Sequence, residues 1–176
     1  CVGRLETGKN QLMLLEALRE DPRPVVLATG GFSYEPEYVR LCGAFRRRGP
    51  TLLLDHVPSA MLAAAFREAA VHCLPSWYEL PGLVSLEAAL HGTRVAASSW
   101  GAIADYLDGT IAYLEPDDPE SIRRAVETAR SLDPGPATDQ ARAFTWERTA
   151  RETLALYEEI VPTVGATAPA AILAEA

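Results

Sequence analysis

Two glutamates, Glu79 and Glu87, lie on either side of a Pro81-Gly82 pair that predicts the start of a helix. If the helix begins near Gly82, its first backbone amides have no partners within the helix and point toward Glu79. Glu87 then lies more than one turn into the helix and projects beside the same opening. Such an opening suits a phosphate flanked by acids that bind hydroxyl groups. The alternative is that Glu79 is an acid at a helix start and Glu87 a solvated helix residue.

Two cations, Arg4 and Lys9, lie at a predicted turn from a strand to a helix, where together they could bind a diphosphate. A close cation contributes roughly 4 kcal/mol per pair of unit charges at an effective dielectric constant of 20, before desolvation. The dipole of a helix start contributes only about 0.3 to 1 kcal/mol. We therefore expect Arg4 and Lys9 to dominate phosphate binding. The alternative is that Lys9 is an ordinary surface residue and that Arg4 pairs with Glu6.

The elements that must position these residues follow from the alternation of short apolar runs with amphipathic segments, which is typical of βα units around a parallel sheet. The predicted fold class is α/β, with helices on both faces of a parallel sheet of about six strands. After a first apolar run that ends at Arg4, the predicted strands are Val25–Ala28, Thr51–Leu54, Val71–Leu74, Arg94–Ala97 and Ile111–Leu114. The predicted helices are Asn10–Glu20, Glu35–Arg48, Pro58–Ala69, Gly82–His91, Ala102–Leu107, Glu120–Arg130 and Trp146–Ile160, the last of them after a breaker at Asp133–Pro136.

Ligands of such sheets bind beyond the carboxyl ends of the strands, where we expect the loops at Arg4, Gly30, Asp55, Pro75 and Ser98 to converge. Although Gly30-Gly31 follows a strand, the sequence has no complete Gly-x-Gly-x-x-Gly fingerprint and no Gly-Lys-Ser/Thr phosphate loop. A nicotinamide-dependent dehydrogenase and a P-loop NTPase are therefore disfavoured.

Composition narrows the function further. A net charge of -8 and a pI near 4.9 argue against a nucleic-acid partner. No apolar run reaches the length of a transmembrane helix. The scattered cysteines Cys1, Cys42 and Cys73 indicate reduced thiols and a cytoplasmic location, with peripheral membrane association left open, and no ligand spacing predicts a metal site.

Several motifs occur in an order that resembles a known family: the retaining GT-B glycosyltransferases of family 4, also called glycosyl transferases group 1. The resemblance is carried by Val2-Gly3-Arg4-Leu5, Lys9-Asn10-Gln11, Leu74 to Glu79, Pro81-Gly82-Leu83, Leu86-Glu87-Ala88, Gly92 to Val95 and Pro116 to Glu120. It implies a Rossmann-like, donor-binding domain over residues 1–161, the C-terminal half of a GT-B fold, followed by a flexible tail at 162–176. The acceptor domain would precede it, so that the chain would be a fragment cut inside a strand.

The resemblance also implies roles for four side chains. Arg4 and Lys9 would neutralise the diphosphate of the donor, so that no metal ion would be needed there. Glu87 would hydrogen-bond the ribose hydroxyls. Glu79 would hold hydroxyls of the transferred sugar near its reacting face. The donor is a nucleoside diphosphate sugar, and no cofactor is expected.

Backbone groups complete the site that the resemblance implies. The amides of Gly82, Leu83 and Val84 would meet the sugar or the distal phosphate. The backbone around His56 and Val57 would contact the base.

The implied reaction transfers a hexose of the mannose or glucose type, with retention, to a hydroxyl of a carbohydrate or lipid-linked acceptor bound by the preceding domain. The fragment alone would bind nucleotide without transfer. Leu80 departs from the commoner family pattern and leaves the identity of the sugar open, whereas the departure at Asp105 leaves the role of its loop open. A nucleotide-sugar epimerase or a phosphorylase of the same architecture, and a noncatalytic Rossmann-like nucleotide-binding module, remain as alternatives.

Overall fold

The computed structural model describes residues 1–31 and 33–161. They form two compact units, residues 1–142 and residues 143 onward, so that the last helix of the predicted 1–161 domain belongs to the second unit. The predicted tail at 162–176 lies outside the described residues.

The strands of the first unit are all parallel. They are β1 (Val25–Thr29), β2 (Thr51–Asp55), β3 (His72–Leu74), β4 (Val95–Ser98) and β5 (Ala112–Leu114). β1 pairs with β2 in one group, and β3, β4 and β5 pair in that order in a second group. The parallel α/β fold is confirmed, but the described residues contain five strands instead of about six. The first apolar run contributes only an isolated parallel bridge between Val2 and Ala28.

The helices alternate with these strands. They are α1 (Gln11–Ala17), α2 (Pro36–Ala44), α3 (Ser59–Glu68), α4 (Leu83–Leu90), α5 (Ala104–Leu107), α6 (Pro119–Ser131), α7 (Gly135–Arg142) and, in the second unit, α8 (Trp146–Ile160). The side chain of Asp118 accepts a hydrogen bond from the Glu120 amide and caps α6.

The breaker expected at Asp133–Pro136 instead opens α7, a helix that the sequence prediction missed. The amides of the first helical turn have no partners within the helix, so proline, which lacks an amide hydrogen, is tolerated there. The Asp133 carboxylate also accepts a hydrogen bond from the Gly135 amide at 3.0 Å. A Pro-Gly-Pro sequence can therefore start a helix as well as end one.

Two hydrophobic clusters show the layering of the first unit. Ala96 belongs to the cluster formed with α1 and α6, whereas its neighbour Ala97 belongs to the cluster formed with α4 and α7. Because successive side chains of a strand point to opposite faces, β4 is covered by helices on both faces, as predicted. β2 is different: Leu52 and Leu53 are about 40% exposed at this outer strand.

Candidate nucleotide-sugar site

Three loops at the carboxyl ends of the strands are tied together by hydrogen bonds. Asn10 is buried and donates from Nδ2 to the carbonyls of Pro75 (3.1 Å) and Pro116 (2.7 Å). The Trp77 amide donates to the carbonyl of Gly8 at 3.0 Å. The convergence predicted for the loops after the first apolar run and after β3 is therefore observed.

The centre of this edge is a cluster of Lys9, Glu79 and Ser76. Lys9 Nζ and Ser76 Oγ each lie 2.6 Å from the same carboxylate oxygen, Glu79 Oε1. The side chains of Lys9 and Glu79 are 28% and 12% exposed, and Ser76 is fully buried. The cation predicted to bind phosphate thus contacts the acid predicted to bind sugar hydroxyls, across 70 residues of sequence.

Two glycines lie beside the cluster. An ideal Cβ on Gly3 would lie 3.9 Å from Lys9 Cδ, so the lysine side chain passes close to the Gly3 backbone. On the other side, Glu79 forms a parallel bridge with Gly101, and its carbonyl accepts a hydrogen bond from the Ala102 amide at 3.0 Å. A Cβ on Gly101 would lie only 2.4 Å from the Glu79 carbonyl oxygen, so this contact requires glycine.

Arg4 lies at the same edge but outside the cluster. Its guanidinium is 3.2 Å from Glu6 Oε1, and its side chain is 51% exposed. The pairing with Glu6, considered from the sequence as the alternative, is therefore observed. The Arg4 side chain passes beside Gly30, where an ideal Cβ would lie 4.0 Å from Arg4 Cγ.

The predicted helix start after Glu79 is also present. Gly82 has a left-handed backbone (φ 61°) and precedes α4, which begins at Leu83. The peptide bond between Leu80 and Pro81 is cis. The first amides of α4, including those of Leu83 and Val84, need partners from outside the helix, while Glu87 is exposed on the second turn.

Tyr106, on α5, lies close to Gly82 and Glu79. An ideal Cβ on Gly82 would lie 2.9 Å from Tyr106 Oη and 3.5 Å from Glu79 Cβ. Burial, followed by the negative charges of Glu79 and Asp105, raises the pKa of Tyr106 to about 12. The hydroxyl therefore keeps its proton at neutral pH.

The loops after β1 and β2 meet around His56. This residue has a left-handed backbone (φ 54°), and an ideal Cβ on Gly31 would lie 2.7 Å from its Nδ1. Thr29 Oγ1 donates to Asp55 Oδ1 at 2.9 Å across the same strand ends. His56 is exposed and Val57 half-buried.

Sequence reasoning missed the contributions of Asn10, Ser76 and Tyr106. The left-handed backbone at Asn10 (φ 60°) suits asparagine, but its bonds to two distant loops have no local signal in the sequence. Ser76 lies three residues before Glu79, a spacing that suits a local side-chain contact. Nothing in the sequence relates Tyr106 to Gly82.

Two classes of feature are absent from the described parts of the chain. Among residues 1–31 and 33–161, no group of three or more His, Cys, Asp or Glu side chains is placed to hold a metal ion. Within the same residues, no helix has both the length and the hydropathy needed to cross a bilayer.

Known proteins resemble this chain in sequence and in fold. Residues 1–131 match the family model described as Glycosyl transferases group 1. The chain is 33% identical to a D-inositol 3-phosphate glycosyltransferase of Kribbella flavida over 94% of its own length and 44% of that protein. It is 30% identical to an alpha-maltose-1-phosphate synthase of Mycobacterium tuberculosis over 90% of its own length and 47% of that protein. The chain thus spans about half the length of these relatives.

Solved structures show the same fold. Sucrose-phosphate synthase from Thermosynechococcus elongatus superposes with a TM-score of 0.74 at 24% identity, over 90% of this chain and 45% of that one. Anabaena Alr3699/HepE in complex with UDP-glucose gives 0.74 at 17% identity, over 91% and 48%. The ordered motifs, the parallel α/β fold and the family match lead to one conclusion: the chain belongs to the glycosyl transferases group 1 family.

Proposed function

We propose that this chain is the donor-binding part of a retaining glycosyltransferase that transfers a hexose from a nucleoside diphosphate sugar to an acceptor hydroxyl. The observation that carries the proposal is the contact between Lys9 Nζ and Glu79 Oε1, at 2.6 Å. It joins a cation suited to phosphate and an acid suited to sugar hydroxyls at one point of the strand edge, as the junction between diphosphate and sugar requires.

Lys9 would serve the diphosphate without leaving Glu79. An ammonium group has three donors, and the contact with Glu79 uses one of them. In the reaction, the bond from the anomeric carbon to the distal phosphate breaks and negative charge grows on that phosphate. A fixed ammonium group stabilises this charge more strongly than the charge of the intact donor. Arg4, which is half exposed, would exchange Glu6 for the same phosphate.

The remaining roles follow the positions of the loops. The amides at Gly82, Leu83 and Val84 would bind the sugar or the distal phosphate. Glu87, exposed on α4, would hydrogen-bond the ribose.

The backbone of His56 and Val57 would contact the base.

With two cations available for the diphosphate, we propose a reaction without a metal or another cofactor, at a cytoplasmic site. The acceptor, a carbohydrate or a lipid-linked molecule, would be bound by a preceding domain.

Titration calorimetry tests the proposal directly. Wild-type chain should bind at least one of UDP, GDP and ADP, with UDP the first to try because HepE has been solved with UDP-glucose. Lys9→Gln should weaken binding roughly 10- to 100-fold, since a charge-assisted hydrogen bond contributes about 1.5 to 3 kcal/mol. Arg67→Gln, which removes one exposed cation from α3, should leave affinity unchanged.

Different results separate the alternatives. Absence of binding by all three nucleotides would contradict the proposed site, and equal losses in Lys9→Gln and Arg67→Gln would indicate a general charge effect. If Glu87→Ala retains full nucleotide affinity, a noncatalytic module in which the acids only brace a loop is favoured. With the preceding domain present, free nucleotide plus a glycoside indicates transfer, whereas an epimerised nucleotide sugar does not.

A further inference from the structure

Two exposed tryptophans lie together at the edge of the candidate site. Trp77 follows β3 and Trp100 follows β4, and their ring centroids are 5.7 Å apart with planes inclined at 56°. The two residues are 36% and 41% exposed, although tryptophan is highly buried on average in folded proteins. Because the rings are tilted and both remain exposed, the pair keeps apolar ring surface open to a ligand.

Hydrogen bonds hold this pair in place. Trp100 Nε1 donates to Glu115 Oε2 at 2.8 Å. The same glutamate, directly after β5, accepts a second bond at Oε1 from Ser99 Oγ at 2.8 Å. The loop of Trp77 is anchored by the main-chain hydrogen bond from its amide to the carbonyl of Gly8. A ligand that stacks on these rings therefore loses less free energy to the ordering of side chains than it would on mobile ones.

The pair is close to the contact between Lys9 and Glu79. Trp77 precedes Glu79 by two residues, and Trp100 directly precedes Gly101, which forms the parallel bridge with Glu79. Two residues span at most about 7 Å of chain. The tryptophans therefore lie on the two loops that hold the acid assigned to the transferred sugar, and a ligand on their rings would lie near that sugar.

The chemistry of this surface matches a sugar ring. A pyranose presents C–H groups on its faces and hydroxyl groups around its rim. The faces of an indole carry the negative part of its quadrupole, which attracts polarised C–H groups, and they offer a large apolar area. An ionised carboxylate has about four acceptor positions, and the bonds from Ser99 and Trp100 leave others of Glu115 for hydroxyl donors. Glu115 is exposed, so a ligand can reach it.

Other ligands of aromatic surfaces fit this place less well. The polar group fixed beside the rings is the carboxylate of Glu115, and the nearby Asp117 is also exposed. Negative charge at this place repels phosphate groups and anionic lipid headgroups. The donor base, which also stacks well on aromatic side chains, is assigned to the loop after β2, where His56 and Val57 lie. The ligand that fits is therefore a neutral, polyhydroxylated ring.

We propose that Trp77, Trp100 and Glu115 form a subsite for one sugar ring of the acceptor, so that the acceptor presents a carbohydrate here. The assignment to the acceptor rests on the proposed function, in which Glu79 holds the sugar of the donor. The ring would stack on the tryptophans and donate hydroxyl hydrogen bonds to Glu115, while the preceding domain binds the rest of the acceptor. The subsite would thus select the sugar that receives the transferred hexose.

Nuclear magnetic resonance of the 176-residue chain tests this subsite. The chain has three tryptophans, whose indole N–H signals can be assigned with the variants Trp77→Phe, Trp100→Phe and Trp146→Phe. The probes are the methyl α-D-pyranosides of glucose, mannose and galactose. We expect at least one of them to shift the signals of Trp77 and Trp100 saturably, at millimolar concentrations. Trp146, which is 78% exposed in the second unit, should not respond. Glycerol, which has hydroxyl groups but no ring, should shift none of the three signals.

A substitution measures the contribution of one ring. Trp100→Leu should weaken binding of that glycoside about tenfold, because it removes an aromatic face. Its affinity for UDP should stay at the wild-type value, and unchanged amide signals of β4 would show that it folds. Trp146→Leu is the matched control and should bind the glycoside normally. Unchanged glycoside affinity in Trp100→Leu would overturn the proposal, as would the absence of a saturable shift in the wild-type chain with all three glycosides.

The remaining outcomes separate this subsite from other occupants and from the donor site. If UDP shifts both tryptophan signals and no glycoside does, the rings contact the base. If vesicles of phosphatidylcholine and phosphatidylglycerol broaden both signals and no glycoside shifts them, the rings contact a membrane. Either result overturns the proposal. UDP binding without glycoside binding refutes the subsite alone. Glycoside binding without any nucleotide binding refutes the donor site, and with it the acceptor role, but leaves a sugar-binding surface.

Discussion

Glu79 is held at one oxygen by two donors of different character. Lys9 supplies a charge that can also serve a phosphate, whereas Ser76 is buried and supplies only a fixed hydrogen bond of 2.6 Å. Ser76 therefore acts as a positioning residue: it keeps the carboxylate in one orientation when Lys9 is shared with a ligand. Its effect should appear in sugar recognition more than in nucleotide recognition.

Ser76→Ala should weaken binding of a nucleoside diphosphate sugar about tenfold, or about 1.4 kcal/mol, because a hydrogen bond to a charged group is lost. Affinity for the nucleoside diphosphate alone should change much less, since Glu79 is assigned to the sugar. Titrations with both ligands measure the difference. Ser131→Ala, at the exposed end of α6, is the matched control. Equal losses for the two ligands would contradict the positioning role.

The sequence identifies the charged residues of the site better than it identifies their contacts. Lys9 and Glu79 were both named as site residues, and the structure brings them together. Arg4 was expected beside them but pairs with Glu6, which lies only two residues further along the same loop. The bonds of Asn10 to Pro75 and Pro116 depend on loops 65 and 106 residues away. No local pattern could have revealed them.

Among the structural elements, the loop after β4 positions the loop that carries Glu79. Gly101 and Glu79 form a backbone bridge between these loops, with a left-handed backbone at Gly101 (φ 118°). The site thus depends on a residue without a side chain. A substitution there moves Glu79 through its main chain and leaves every charged group of the site intact.

Gly101→Ala should lower the free energy of unfolding by about 3 kcal/mol and also weaken binding of the nucleotide sugar. The cost combines backbone strain of about 1 to 2 kcal/mol with a collision against the Glu79 main chain of about 1 to 3 kcal/mol. Gly92→Ala is the control, since Gly92 also has a positive φ (76°) but open space around its Cβ position. It should lose only the strain term and bind normally. Urea unfolding and calorimetry give the two values, and identical behaviour of both variants would refute the coupling.

The elements themselves were largely predictable. β1 to β5 all lie on apolar runs identified in the sequence, and every residue of β3 and β4 is buried, as expected for strands covered by helices on both faces. α7 was missed because its Pro-Gly-Pro start is typical of a turn. The apolar residues of α8, namely Leu154, Leu156, Tyr157 and Ile160, are all at least half exposed in the second unit. Their spacing predicts an amphipathic helix but does not supply a partner.

Over the first unit as a whole, burial makes stability depend on pH. Desolvation, and then the nearby Cys1 ammonium group, hold the pKa of His72 well below its usual value of 6.5. The folded chain therefore keeps this imidazole neutral where the unfolded chain protonates it. The stability associated with neutral His72 is complete above pH 6.5 and is lost as the pH falls below it.

His72 alone should lower the free energy of unfolding by about 1.4 kcal/mol between pH 7.5 and pH 5.5. The leucine in His72→Leu cannot bind a proton. Between pH 7.5 and pH 5.5, the free energy of unfolding of this variant should therefore fall by about 1.4 kcal/mol less than that of the wild type. Urea denaturation of both proteins at several pH values measures the difference. Parallel curves for wild type and variant would show that His72 titrates normally in the fold.

Lys9 is the only lysine among the 176 residues, against 15 arginines. The amino group of Cys1 donates a hydrogen bond to the Val26 carbonyl at 2.9 Å. Lys9 is partly accessible and stands beside Glu79 in the proposed site. A reagent that acylates amines should therefore modify one position, and a bound donor should shield it. The chain thus contains an intrinsic chemical reporter of occupancy, which can be followed by the mass of the intact protein.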